Sequence, residues 1–351
     1  MKHYIIPIFI PHYGCVHDCV FCNQRKITGV STSVTPDDVA SILATHLAGI
    51  NQERYIEVAF YGGSFTALPL ALQAQFLAPA QILLWQKKIH AIRLSTRPDC
   101  IDKMILEQLK SYGVTTIELG AQSFADNVLY QAQRGHTAQM IWQAAMQIKS
   151  AGFNLGLQLM LGLPGEAWLD IVESLQQVVR IKPDFVRIYP TLVLKDTILA
   201  EQYKKGSYKP LPLAEAINYS ALLKSNFIAQ GIPVIRTGLQ ATEALADPNI
   251  VLAGPYHPAF GEMVDSRIFY LTICRLLDTL PYIDGQTVTL HYHPQDTSKL
   301  RGNRNSNVKL WQDRYKFKQF NYQADGTAVS NVEVEYDQQR YFISINQGID
   351  C

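Results

Sequence analysis

The sequence predicts an α/β chain: a partial parallel (β/α)6 TIM-like barrel followed by a small α+β extension. Three observations carry that expectation. Short β-branched or apolar runs alternate with longer helix-like stretches between residues 4 and 236, small or polar residues sit just after each run, and the alternation then stops. At 351 residues the chain also exceeds the ~250–300 at which one hydrophobic core usually stops growing. We therefore divide it into a barrel over 1–238 and an extension over 239–351.

Strands are expected at 4–10, 56–61, 91–95, 115–120, 155–161 and 185–189. Helices are expected between them at 36–49, 69–86, 101–112, 138–151 and 166–181. Pro36 suits a first helical turn, where its missing N–H would have no partner anyway, and Gly113 and Gly152 suit helix stops. Strands separated by crossover helices pair in parallel. The stretches YGGSF (61–65), STRPD (95–99), LGAQSF (119–124), LGLPGE (161–166) and IYPTLV (188–193) follow the strands, and in a parallel barrel such loops converge on one mouth. Six units leave the barrel incomplete, with room for a large substrate. Beyond it lie an amphipathic stretch at 213–230, the strand-like IPVIR (232–236), a helix-like 263–277 and β-like runs at 286–292, 328–335 and 340–345.

Hydrophobic residues at 48% and charged residues at 17% describe an ordinary globular chain, and no apolar run approaches the ~18 residues of a membrane span. The apolar run 4–10 is broken by Pro7 and followed by Pro11 and His12, which argues against an export signal. A cytoplasmic protein follows, in which cysteines stay reduced and are kept for metals or catalysis. A net charge of +1 gives no global reason to expect nucleic acid or an anionic membrane.

Three of the six cysteines, Cys15, Cys19 and Cys22, fall within HYGCVHDCVFCNQ (12–24). A structural zinc needs four ligands, usually as two separated pairs. Cys100, Cys274 and Cys351 are isolated, so His12 or His17 would have to complete a zinc site. Three thiolates without a fourth also suit a [4Fe–4S] cluster that leaves one iron for another ligand. With Phe21 preceding Cys22, the pattern Cys-x3-Cys-x-aromatic-Cys resembles the signature of the radical S-adenosylmethionine (SAM) superfamily. The resemblance implies that SAM, S-adenosyl-L-methionine, fills the open iron and is cleaved by one electron. The resulting 5′-deoxyadenosyl radical then abstracts a hydrogen atom. It also implies a one-electron donor of the flavodoxin or ferredoxin type.

The same resemblance assigns further residues. In AFYGGSF (59–65), Gly62, Gly63 and Ser64 match the motif that receives the SAM amino group, although Ser64 stands where many members carry Glu. In IELGAQSF (117–124), Glu118 or Gln122 would bond the SAM ribose, and Arg134 of RGHT (134–137) would pair with its carboxylate. His136 reads as a structural neighbour. LGLQLMLGLPGE (155–166), with Gly162, resembles the adenine-binding fifth strand, and Tyr189 with Pro190 would flank the adenine.

Within the superfamily, VAFYGGSFTALP (58–69), STRPD, IELGAQS, RGHT and YPTLVLKDTILAEQYKKGSYKPL (189–211) resemble the radical-SAM domain of the elongator catalytic subunit, which modifies the tRNA wobble uridine. Two departures stand out. The cysteine spacing is the compact one shared with oxygen-independent coproporphyrinogen oxidases, and the residues after 238 show no coenzyme-binding glycine loop, so the acetyltransferase domain is expected to be lacking. A basic stretch holds Lys299, Arg301, Arg304, Lys309, Arg314, Lys316 and Lys318 against Asp313, with Trp311, Tyr315 and Phe317 interleaved. It could grip tRNA phosphates and stack on bases, or be a solvated face over a small aromatic core. The substrate is accordingly a tRNA or, alternatively, a small molecule or tetrapyrrole; a non-catalytic Fe–S or RNA-binding protein is the remaining reading.

Overall fold

The computed structural model describes residues 3–10, 19–23, 34–50, 53–281 and 284–349. Two compact units emerge, Met1–Leu211 with Gln240–Tyr256, and Pro212–Leu239 with His257–Cys351.

The first unit runs β1 (His3–Phe9), α1 (Pro36–Ala48), β2 (Tyr55–Tyr61), α2 (Leu70–Trp85), β3 (Ala91–Thr96), α3 (Lys103–Ser111), β4 (Val114–Gln122), α4 (Asp126–Gln131), α5 (Ala138–Ser150), β5 (Asn154–Leu161), α6 (Trp168–Ile181) and β6 (Phe185–Pro190). These strands pair in sequence order, each parallel to the next, as a curled partial barrel. Helix starts follow local chemistry. The Thr35 N–H donates to Asp38 at 2.8 Å before Pro36, Asp102 accepts the Ile105 N–H at 2.8 Å, and Asp126 accepts the Ala138 N–H at 2.7 Å, so at each of these starts a carboxylate answers one backbone amide.

The period-two alternation of the strands sorts their residues by face. Ile56, Val58 and Phe60 of β2 alternate with Glu57, and Phe60 meets Phe65 and Phe76 of α2 at ring distances of 5.1 and 6.5 Å. The other face of the sheet is polar. Arg93 of β3 sits 2.6 Å from Glu57 and 3.0 Å from Glu118 of β4. Arg187 of β6 adds contacts of 2.7 and 3.2 Å to the Glu118 carboxylate, and Gln158 of β5 adds one of 3.1 Å. The Tyr61 hydroxyl completes the set at 3.3 Å. Burial pushes the Glu118 carboxyl up, and Arg187 and Arg93 outweigh it, so the group stays ionised. Gly156 makes room beside this network, because a Cβ there would lie 2.4 Å from the Phe185 ring.

In the second unit the helices Leu213–Ala229 and Phe260–Leu277 accompany a four-stranded sheet. Its order is Gln319–Ala324, Thr287–Tyr292, Asn331–Tyr336, Gln339–Ser344, with the first pair parallel and the others antiparallel. Helix Ser306–Tyr315 buries Trp311 completely, stacked 5.7 Å from Tyr270 and edge-on to Phe320 at 5.9 Å, while Phe317 stacks on Phe320 at 4.8 Å. Of the two readings of the basic stretch, its aromatic residues therefore follow the core one. Trp311, Tyr315 and Phe317 have no rings to offer to bases, and Arg301 lies over Tyr322 at 4.3 Å. Among the described residues no helix is long and apolar enough to cross a membrane.

Candidate active site

The loops at the C-terminal ends of the parallel strands bring the predicted motifs together. Cys15 lies outside the described residues, whereas Cys19 and Cys22 are half-buried and joined by a turn, with the Cys22 N–H donating to the Cys19 carbonyl at 3.0 Å. The peptide between them is anchored on both sides. The Val20 N–H donates to Ala132 at 3.2 Å, and its carbonyl accepts the Leu199 N–H at 2.7 Å. Val20 sits with Val128, Leu163, Val193 and Tyr208 in an apolar cluster, and Phe21 packs against that cluster. Burying this apolar pair fixes where the two sulfurs emerge.

Arg134 reaches Cys19. Its Nη1 is 3.0 Å from Sγ, its Nη2 donates to the Gly120 carbonyl at 2.6 Å, and its guanidinium lies 6.0 Å from the Phe21 ring centre. A second arginine, unassigned from sequence, comes from the loop after β3. Arg97 Nη1 is 3.7 Å from the same sulfur, its Nε and Nη2 fork onto Asp99 at 3.0 and 3.1 Å, and Nη2 also donates to the Arg134 carbonyl. The signal for it was the Arg-Pro-Asp triplet of STRPD, where two complementary charges flank a rigid residue directly after a strand.

His136 is buried beside these cations. Burial, then Arg134 and Arg97, bring its pKa down to about 3. The neutral ring places Nε2 3.4 Å from the Ala121 carbonyl, which requires the hydrogen on that nitrogen and leaves Nδ1 without a partner.

The remaining predicted residues divide into two groups. Gly62, with φ of 93°, turns the chain after β2, and Gly63 and Ser64 follow it at the mouth. Gln122 ends β4 in the left-handed region at φ of 71°, and its Oε1 is buried without a partner. Arg134 Nε and Thr191 Oγ1, after β4 and β6, are orphaned in the same way. Tyr189 is half-buried at the end of β6. Glu118, in contrast, has both carboxylate oxygens occupied by the ion network. Gly162 serves a turn: its N–H donates to Glu166 at 2.5 Å and its carbonyl accepts the Tyr208 hydroxyl at 2.6 Å. Burial pushes the Glu166 carboxyl up to about 8, against the amides of Gly162 and Leu163 that bond it.

Among the described residues no three His, Cys, Asp or Glu side chains gather as a metal site, two of the three motif cysteines being among them. The donor set nevertheless fits a thiolate-bound cluster with a polar cofactor beside it. Two guanidinium groups converge on one sulfur, matching the negative charge of a metal-bound thiolate, and the orphaned polar atoms of Gln122, Arg134 and Thr191 await partners.

A family model described as the radical SAM superfamily matches residues 9–178, and one for the radical SAM C-terminal domain matches 183–269. The chain is 32% identical over 190 residues to tRNA uridine(34) acetyltransferase of Methanocaldococcus jannaschii, covering 48% of this chain and 35% of that protein. It is 30% identical over 175 residues to elongator complex protein 3 of Saccharomyces cerevisiae, covering 44% and 31%. Among solved structures, archaeal Methanocaldococcus infernus Elp3 with an N-terminal deletion aligns with a TM-score of 0.59 and 21% identity, over 76% of this chain and 63% of that one. That likeness concerns the fold. The chain spans about a third of the length of these two curated relatives.

Proposed function

The chain belongs to the radical SAM superfamily of enzymes, and from that premise we propose that it is a tRNA-modifying member. The superfamily's cofactors are a [4Fe–4S] cluster and SAM. Bound here, they would supply the one-electron chemistry by which a hydrogen atom is taken from a substrate C–H bond.

In this reading Cys15, Cys19 and Cys22 hold three irons. Gly62 and Gly63 leave space for the SAM amino group, with Ser64 behind them. Arg134 lies at the sulfur of Cys19 and pairs with the SAM carboxylate. Gln122 has an open acceptor for a ribose hydroxyl, whereas Glu118 is already spent on Arg93 and Arg187, so Gln122 takes the ribose. Gly162 shapes the fifth loop, and Tyr189 flanks the adenine. The observation that carries the reading is the 3.0 Å contact between Arg134 and Cys19, which joins the SAM motif to the cluster motif across 115 residues.

The choice of tRNA is supported by the name of the Methanocaldococcus jannaschii relative and by the exposed cations Arg304, Lys309, Lys316 and Lys318. The electron donor is of the flavodoxin or ferredoxin type, and the setting is the cytoplasm. Anaerobic reconstitution tests the proposal. Iron should load, reduction with SAM should release 5′-deoxyadenosine, and the release should rise with tRNA. A loaded protein that releases none overturns it, and stimulation by a tetrapyrrole with no response to tRNA moves the substrate to the small-molecule class.

A further inference from the structure

We infer that Arg97 is a positioning residue that sets the reduction potential of the cluster, by placing a second guanidinium beside Cys19 and by holding Arg134 against the same sulfur. The inference rests on the reading above that Cys19 is a cluster ligand.

The geometry separates Arg97 from a substrate-binding arginine. Its residue surface is only 4% exposed, and most of its donors are committed: Nε and Nη2 to Asp99, Nη2 also to the Arg134 carbonyl, and Nη1 toward Cys19 Sγ. All three nitrogens are thus engaged within the protein, and of the five N–H groups only one, on Nη1, is left uncommitted in a side chain almost wholly buried. Asp99 fixes the plane of the fork, and Pro98 between the pair starts a short helical turn over Pro98–Cys100 that holds the spacing. Arg97 therefore acts through what it holds.

The charges at the sulfur decide the direction of the effect. Two guanidiniums face Cys19, with the Asp99 carboxylate 3.0 Å behind Arg97 and His136 Nδ1 3.8 Å from that carboxylate. The low pKa of His136 fits this positive surrounding and leaves the imidazole without charge. The excess at the site is thus one positive charge, on groups that stay protonated at any working pH. Adding an electron to a cluster held by three thiolates raises its negative charge. A fixed cation at one of those sulfurs favours the reduced state, and so do N–H donors aimed at sulfur. Without Arg97 the cluster would be harder to reduce, and Arg134 would lose the hold on its backbone that presents Nη1 to Cys19.

The test is a potentiometric titration of the reconstituted full chain followed by EPR, without SAM, alongside iron counting. Arg97→Gln should load as much iron as the wild type, yet at a fixed potential show a reduced-to-oxidised ratio at least tenfold lower, a midpoint about 59 mV more negative. Full iron with an unchanged midpoint overturns the inference. Arg97→Lys serves where Arg97→Gln does not fold. In protein labelled with heavy-nitrogen arginine, pulsed EPR of the reduced wild type should show couplings from two guanidinium groups and the lysine variant from one; the same number in both overturns it. A wild type that takes up no iron overturns the cluster reading itself, which iron counting detects before any midpoint is measured.

Discussion

Glu118 and Arg187 meet at 2.7 Å across the polar face of the barrel sheet, with the strand that separates them contributing only a neutral Gln158 to the same carboxylate. Removing the charge from Glu118 would leave Arg187 buried against a neutral amide and Arg93 with Glu57 as its remaining carboxylate. Glu118→Gln should therefore lower unfolding stability by about 3–5 kcal/mol in urea titrations. SAM affinity of the folded protein should stay at the wild-type value, since neither oxygen is available to the cofactor.

Gln122 should behave in the opposite way. Its Oε1 is buried without a partner in the protein, and in the proposed reading it accepts from the SAM ribose. Gln122→Ala should weaken SAM binding roughly five- to tenfold, the worth of about 1 kcal/mol for one hydrogen bond. Isothermal titration of SAM into the reconstituted protein measures this, and the urea midpoint should move far less than in Glu118→Gln.

His136 gives the barrel a dependence on pH. Its ordinary value is 6.5 and its folded value about 3, so the unfolded chain takes up the proton first as pH falls. The contribution to stability is complete above 6.5 and is lost on the way down toward 3, at about 1.4 kcal/mol per pH unit. At about pH 5 the wild type should have lost about 2 kcal/mol more than His136→Gln, relative to neutral pH. Parallel urea curves for the two proteins at both pH values check the slope.

The basic stretch of the second unit separates into a packed part and a free part. Trp311→Ala should cost about 3–5 kcal/mol, by removing the ring that stacks on Tyr270 and meets Phe320 edge-on. Arg304→Glu with Lys309→Glu, both on exposed positions, should leave stability nearly unchanged. The double variant should weaken tRNA binding and lower the salt-dependence slope by about 1 for each phosphate it no longer neutralises.

The barrel was legible because parallel strands and crossover helices write different periods into the chain. All six strands and five helices lie within a few residues of their expected places. The cysteine motif and Arg134 were legible as motifs. The partners of Glu118 were not, because Arg93 and Arg187 stand 25 and 69 residues away and only sheet register aligns them. In IELGAQS, Glu118 and Gln122 read as equivalent candidates; both are buried, and only the partners that the fold brings to Glu118 and withholds from Gln122 Oε1 tell them apart. Strand Gln319–Ala324, QFNYQA, went unseen because it is mostly polar and no residue of it is fully buried. Helix Ser306–Tyr315 was hidden beneath the charge count of 299–318, although Asn307, Trp311 and Tyr315 recur at the four-residue spacing of a buried helix face.

The chain of Glu57, Arg93, Glu118 and Arg187 also has a thermal consequence. The hydration that ions forgo on burial becomes less favourable as water warms, so the penalty for keeping these four groups dry shrinks with heating, while the gain per unit of apolar area levels off. Relative to an aliphatic filling of the same volume, this lining costs most in the cold and least near the melting point. Warmth should therefore narrow the energetic gap between this barrel and a greasy one.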